Sequence, residues 1–351
     1  MIPWDFFVVT ALTSLVVSYG VSTLLVSQCR GRTSAKKRPT PPTTGGTVIF
    51  LSMAAVLLLL FVLYQRFFEL NPKKLWGVAI AGAFIFLLGY IDDRKPLHYS
   101  QKLIGQILSA CVLPLAGFKI DFITNIGGTA LYLPDWMSGV FIVGWLVFMM
   151  NAVNLIDGLD GLAAGVIAMA AYTIFLLCWN VNAVISAGAL ALAFSLLGIL
   201  PFNAYPARFY LGDAGSLLIG FLIGIFSLFF QVKTYAAVVI IIPLFILFIP
   251  VLNTAMVFVK RLKRGRNPLK GDIFHLHYRL LRQGLSHRNT VLFLWSVTAS
   301  LCVLVVLRQY LPVRPRTILF LIGVLVLYTV LVQLFLGYLK EKRQEAVNRR
   351  K

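Results

Sequence analysis

Residues 162–200 read LAAGVIAMAAYTIFLLCWNVNAVISAGALALAFSLLGIL, without a single charged side chain. Asn180-Val181-Asn182 splits the run into two apolar stretches, 162–179 and 183–200. A bilayer crossing needs about 20 mostly apolar residues, with a range of about 17–25. Lipid offers the backbone no hydrogen-bond partners, so only helices and closed barrels cross it. The stretch therefore predicts two membrane helices joined by a tight turn. Similar runs recur at 2–27, 46–64, 75–91, 103–118, 137–153, 215–232, 235–259, 291–307 and 317–339, for an expected total of eleven. The first run is long enough to span by itself and lacks a basic leader, so it reads as a crossing and not as a signal peptide.

Composition agrees. Of 351 residues, 59% are hydrophobic and 13% charged, against about 25% charged in a soluble domain. A secreted enzyme, a disordered chain and a cytosolic nucleic-acid binder are excluded. The net charge of +20 has its explanation in the excess of Lys and Arg that cytoplasmic loops carry. Segments 28–45, 92–102, 154–161, 201–214, 260–290 and 340–351 hold 24 of the 32 basic residues. They are expected in the cytoplasm, with the N-terminus outside and the C-terminus inside. Segment 119–136, around Gly127-Gly128, reads as a short β-hairpin on the outer face. Cys29, Cys111, Cys178 and Cys302 match no metal or disulfide spacing.

Carboxylates are costly next to hydrocarbon and usually mark a polar cavity, a partner or an ion. Asp92, Asp93, Asp157, Asp160, Asp213 and Asp272 all fall in or beside the cytoplasmic segments. The first segment contains Lys36-Lys37-Arg38-Pro39-Thr40-Pro41-Pro42-Thr43-Thr44-Gly45-Gly46, which stops a helix and lets a ligand approach the backbone. The second has adjacent Asp92 and Asp93, which repel unless a cation is near, and Lys102. In the third, Asn151, Asn154 and Asp157 share one side of a helix running up to Gly158. Their oxygens suit Mg²⁺, which also binds substrate phosphates. The fourth, Asn203–Ser216, sets Asp213 between glycines at the start of a helix, where it can cap, while Asn203, Arg208 and Tyr210 around it point equally to a nucleotide or phosphate site. The fifth holds His275, His277 and Arg279 on a short helix expected to stop at Gly284. H-x-H without cysteine is weak evidence for zinc, and phosphate recognition by Arg fits better.

Together these segments resemble the polyprenyl-phosphate N-acetylhexosamine-1-phosphate transferases, the group containing the WecA, TagO and MraY enzymes. The resemblance covers residues 36–290. It rests on P-x-x-G-G at Pro42–Gly46, Asp92-Asp93 with Lys102, and Asn-Ala-Val-Asn-Leu-Ile-Asp-Gly-Leu-Asp-Gly at 151–161. The Asn203–Ser216 run and the His275–Arg279 motif complete it. It implies an all-α polytopic membrane enzyme with one catalytic domain, 1–339, and a basic tail, 340–351. The implied reaction passes a sugar-1-phosphate from a UDP-sugar to a polyprenyl phosphate with release of UMP, in cell-envelope polysaccharide synthesis at the bacterial inner membrane. Asn154 and Asp213 are implied as Mg²⁺ ligands, with Mn²⁺ as a substitute, and Asp92, Asp93, Asp157 and Asp160 as catalytic residues. Arg38, Thr43, Lys102, Asn203, Tyr210, His275, His277 and Arg279 are implied as substrate contacts, Asn203 and Tyr210 at the uridine.

His275-Leu276-His277-Tyr278-Arg279 is nearer the H-x-H-H-R of enzymes using UDP-GlcNAc than the three consecutive histidines of the MraY type, although Tyr278 departs from it. UDP-GlcNAc and undecaprenyl phosphate are therefore the expected substrates. Phospho-MurNAc-pentapeptide transfer is the alternative, and a homodimer is left open. Transfer by direct attack of the lipid phosphate, with Asp92 or Asp93 taking any residual proton, is preferred to a covalent aspartyl-phosphate. An anion transporter is the rival from another class, but it predicts ionisable groups at mid-membrane and in repeats.

Overall fold

The computed structural model describes residues 4–30, 41–63, 72–120, 122–124, 130–229, 247–254, 276–311 and 322–323. Their elements are α1 (Trp4–Arg30), α2 (Gly45–Leu63), α3 (Pro72–Arg94), α4 (Tyr99–Leu115), β1 (Phe122–Thr124), β2 (Ala130–Tyr132) and α5 (Asp135–Ile156). They continue with α6 (Leu162–Cys178), α7 (Ala183–Asn203), α8 (Gly212–Phe229), α9 (Leu276–Arg282) and α10 (His287–Tyr310). The strands pair antiparallel, Phe122 with Tyr132 and Thr124 with Ala130.

Six helices, α1, α2, α3, α5, α7 and α10, are long and apolar enough to cross a membrane. At 17 residues α4 and α6 are shorter. Of the eleven expected crossings, most of 235–259 and all but two residues of 317–339 lie outside the described residues. The tight turn after α6 is present, with the Asn182 side chain accepting the Ile185 N–H to start α7.

Packing centres on α6, α7 and α8. α6 lies against α7 and α10, α1 against α7, and α8 against α3 and α5. Hydrophobicity cannot drive helices together in lipid, so close packing of small residues and satisfied polar groups must do so. α1 illustrates both. Thr10, Ser14, Ser18 and Ser22 repeat every four residues and are fully buried. Thr10, Ser14 and Ser22 bond their own helix four residues back, while Ser52 of α2 donates to the Ser14 carbonyl at 3.1 Å. A Cβ on Gly198 of α7 would run into the Ser18 side chain.

Successive helices from α1 to α8 alternate in direction, so the turns fall at two faces. One face gathers the segment before α2, the α3–α4 turn, the α5–α6 turn and the α7–α8 segment. Trp4, stacked on Trp179 at 4.9 Å, and the β-strands mark the other. The chain is a multi-pass membrane protein.

Candidate active site

The Gly45-Gly46 start of α2 meets the start of α8 at the first face. Tyr210 N–H donates to the Pro42 carbonyl at 2.9 Å, Gly45 N–H to Tyr210 at 3.0 Å and Gly46 N–H to Leu211 at 3.1 Å. A Cβ on Gly46 would lie 2.5 Å from the Gly215 nitrogen, and one on Gly89 of α3 would lie 2.5 Å from the Ala214 Cα. Only glycine allows three helix ends to meet this closely.

The acidic residues enter from α3 and α8. Asp92 and Asp93 occupy the last turn of α3, at the mouth of the cytoplasmic segment. Asp92 is 8% exposed, and its carboxylate accepts the Leu97 N–H at 2.7 Å and faces the Lys102 ammonium at 2.9 Å. Lys102 stands in the first turn of α4, and its Nζ also donates to Asp213 at 2.6 Å. One cation thus joins two carboxylates that are distant in sequence.

Asp93 points elsewhere. Its Oδ1 accepts the Asp213 N–H at 2.7 Å and its Oδ2 the Ala214 N–H at 3.1 Å. It caps α8 from another helix, satisfying donors that every helix start leaves open. Gly212 takes φ +71 beside that carboxylate, where a Cβ would sit 2.5 Å from the Asp93 Oδ2.

Asn154, in the last turn of α5, donates its Nδ2 to Asp213 and, at 2.8 Å, to Ser216. α5 ends at Ile156, earlier than expected, so Asp157 is its C-cap. Asp157 forms no hydrogen bond or ion pair among the described residues. Burial first, and then the Asp213, Asp93 and Asp160 carboxylates, push its carboxyl well above the usual carboxylate range. Asn151 pairs with Gln106 of α4, donating at 2.7 Å.

The remaining site residues divide. Asp160 accepts the Ala207 N–H at 3.1 Å, tying the α5–α6 turn to the α7–α8 segment. Asn203, expected at a uridine, is 2% exposed, and its Nδ2 donates to the Phe209 carbonyl at 3.2 Å. In this structure it shapes the segment from within. Thr43 and Tyr210 are exposed side chains joined by a backbone bridge. Arg279 is buried on α9, which stops at Gly284 with φ +95 as expected. Arg38 and His275 lie outside the described residues, as does the side chain of His277.

Two participants were not assigned from sequence. Ser216 lies one helical turn after Asp213, a spacing that places both on one face of α8. His287 stacks on Tyr205 with ring centroids 4.5 Å apart, bringing the start of α10 to the α7–α8 segment. No local signal marks that contact.

Among the described residues no three His, Cys, Asp or Glu side chains are placed to hold a metal. Asn154 nevertheless adjoins Asp213, the Asp213 charge reaches Asp157, and Asn154 Oδ1 has no hydrogen-bond partner among the described residues. Few protein ligands, all oxygen, fit a hard cation such as Mg²⁺, which keeps waters and shares substrate phosphates.

A membrane-embedded helical scaffold with its polar groups converged at one face defines the class, and sequence relatives define the family. The profile of Glycosyl transferase family 4 matches residues 75–231. The probable undecaprenyl-phosphate N-acetylglucosaminyl 1-phosphate transferase of Bacillus subtilis (strain 168) is 31% identical over 277 residues, covering 78% of this chain and 76% of the relative. The decaprenyl-phosphate N-acetylglucosaminephosphotransferase of Mycolicibacterium smegmatis is 35% identical over 250 residues, covering 62% of this chain and 60% of the relative. The phospho-N-acetylmuramoyl-pentapeptide-transferase of B. subtilis is 32% identical over 255 residues, covering 69% and 76%. The chain belongs to the polyprenyl-phosphate N-acetylhexosamine-1-phosphate transferase family, and it is a transferase.

Proposed function

We propose that this protein transfers GlcNAc-1-phosphate from UDP-GlcNAc to undecaprenyl phosphate, giving undecaprenyl-diphosphate-GlcNAc and UMP. The observation that carries the reading is the Lys102 ammonium, held between Asp92 and Asp213, with Asn154 bonded to the same Asp213 carboxylate. A cation fixed among carboxylates at a membrane face is suited to a diphosphate approaching from solvent and a phosphate anchored in lipid. Catalysis of such transfers is mainly positioning and charge neutralisation.

In this reading an oxygen of the lipid phosphate attacks the β-phosphorus. The bond from that phosphorus to the bridging oxygen breaks, and the electron pair leaves with UMP. Lys102 neutralises the phosphoryl oxygens, and Asp93 fixes the backbone that carries Asp213. Asp92 holds Lys102 and takes any residual proton from the lipid phosphate. Burial and the neighbouring carboxylates raise the Asp157 pKa, and a cation bound beside it would relieve that repulsion. Asn154 and Asp213 would hold Mg²⁺, which when bound would supply Lewis-acid stabilisation of the charge developing on the departing UMP phosphate. Asp160 and Asn203 shape the segment that presents Tyr210 to the nucleotide, with Thr43 beside it. Arg38, His275, His277 and Arg279 complete the anionic contacts. The 24 basic residues gathered in the segments of one side support a cytoplasmic site in the bacterial inner membrane, where they steer an anionic nucleotide. We assign 1–339 to one catalytic domain, with the tail 340–351 outside it.

The test mixes purified protein, undecaprenyl phosphate, MgCl₂ and either UDP-GlcNAc or UDP-MurNAc-pentapeptide, then measures UMP and lipid-linked sugar. UMP release with UDP-GlcNAc alone is expected. Turnover of only the pentapeptide substrate would replace the sugar assignment, and UMP release without a lipid-linked product would overturn the transfer itself.

A further inference from the structure

A mostly apolar cavity lies far from the carboxylates. α2 and α3 part over the half of their length away from the site, leaving a cavity of 580 Å³ backed by α7 and α8. This is within the size of small-ligand sites, about 300–1,000 Å³. Ala79, Gly82 and Ala83 keep the α3 wall shallow, and Leu57, Leu222 and Phe226 supply apolar surface. Towards the site the gap is closed by Phe50 stacked on Phe86, centroids 4.4 Å apart and rings 12° from parallel.

The end away from the site is basic. Lys74 and Lys119 both line it. Lys119 is paired with Asp135 at 2.7 Å. Lys74 lies over the Phe118 ring at 5.4 Å and has no carboxylate partner among the described residues. From Lys74 to Asp92 the helix runs 18 residues, about 27 Å at 1.5 Å per residue, so this mouth is at the opposite membrane face.

We propose that the crevice holds one anionic phospholipid of the leaflet opposite the active site, with an acyl chain between α2 and α3 and its phosphate on Lys74 and Lys119. The apolar lining suits a hydrocarbon chain, and the lysine pair selects an anionic headgroup. The Phe50–Phe86 stack separates this lipid from the reacting one. Each lysine near a membrane surface favours an anionic lipid by about fivefold.

Native mass spectrometry of the full chain in detergent tests this, using dioleoylphosphatidylglycerol and dioleoylphosphatidylcholine as probes. Because Asp135 already pairs with Lys119, the gain is that of Lys74, and one phosphatidylglycerol should be retained at roughly fivefold lower concentration than phosphatidylcholine. K74A/K119A should erase that preference, and A79F should abolish retention of both lipids while UMP release continues. Equal retention of the two lipids by the natural chain overturns the proposal. So does displacement by undecaprenyl phosphate together with loss of transfer in A79F, which would give the crevice to the reacting lipid. A dimer that A79F dissociates without changing lipid retention overturns it too, making a second copy the occupant. Absence of UMP release in the natural chain bears on the transfer reaction alone, because lipid retention is read separately.

Discussion

Asp93 and Asp213 are bound side chain to backbone, the carboxylate at the end of α3 receiving the first free N–H groups of α8 from 120 positions away. The negative group also sits where the α8 dipole is positive. The pair makes the position of Asp213 depend on a residue that does not touch its side chain.

Replacing Asp93 should therefore cost stability as well as turnover. An N-cap lost to alanine costs about 1–2 kcal/mol. D93A is expected to lower the melting temperature of the detergent-purified protein and to raise the Mg²⁺ concentration needed for half-maximal UMP release. D93N retains one acceptor and should fall between. A D93A protein with natural stability and metal requirement would show that the cap is dispensable.

Lys102 holds two carboxylates together, and Asp92 is buried. Removing one partner of a buried ion pair leaves an uncompensated charge and costs about 3–5 kcal/mol; the partial exposure of Asp213 puts K102M at the lower end. UMP release should drop by about 100-fold or more, the size of losing one electrostatic contact to a transition state. Initial-rate assays beside a thermal melt separate the two effects.

Gly212 offers a backbone test. With φ +71 and a Cβ placed 2.5 Å from Asp93 Oδ2, G212A should lose about 1–2 kcal/mol from the left-handed conformation alone. G144A makes the control, since nothing lies within 4 Å of its Cβ position. Equal melting temperatures for the two variants would contradict the geometry.

Asp157 gives a pH signature. Its folded pKa is raised, so the folded state favours the protonated carboxyl. That contribution is fully present below the unfolded value, about 3.9, and is lost as pH rises through the raised folded value. In EDTA, D157N should be more stable than the natural protein at pH 8, with the gap closing towards pH 4. Mg²⁺ should narrow the gap at pH 8 by compensating the charge. Melting temperatures across pH, with and without Mg²⁺, measure both.

Much of this was legible in the sequence. The uncharged run at 162–200 announces α6 and α7, and the acidic and amide residues of segments otherwise scattered along the chain announce a shared face. Lys102 and Asp213 were both assigned to one site by the family resemblance, but their direct ion pair was not foreseen. The division of labour was not legible. That Asp93 serves a distant helix start follows from how α3 crosses α8 at Gly89 and Ala214, which no local pattern encodes. That Asn203 bonds the Phe209 carbonyl and Asp160 the Ala207 N–H, each bracing the α7–α8 segment, was not encoded locally either. The helix ends also shifted, because α3 and α4 extend past their apolar runs and carry Asp92, Asp93 and Lys102 on regular helix.

The backbone pairing of Pro42–Gly46 with Tyr210–Leu211 sets a rule for building chimeras with relatives. The two segments share three hydrogen bonds, so transplanting either alone would join mismatched main chains and displace Asp213 with them. Exchanged as a unit, they should carry their donor's nucleotide preference into the recipient.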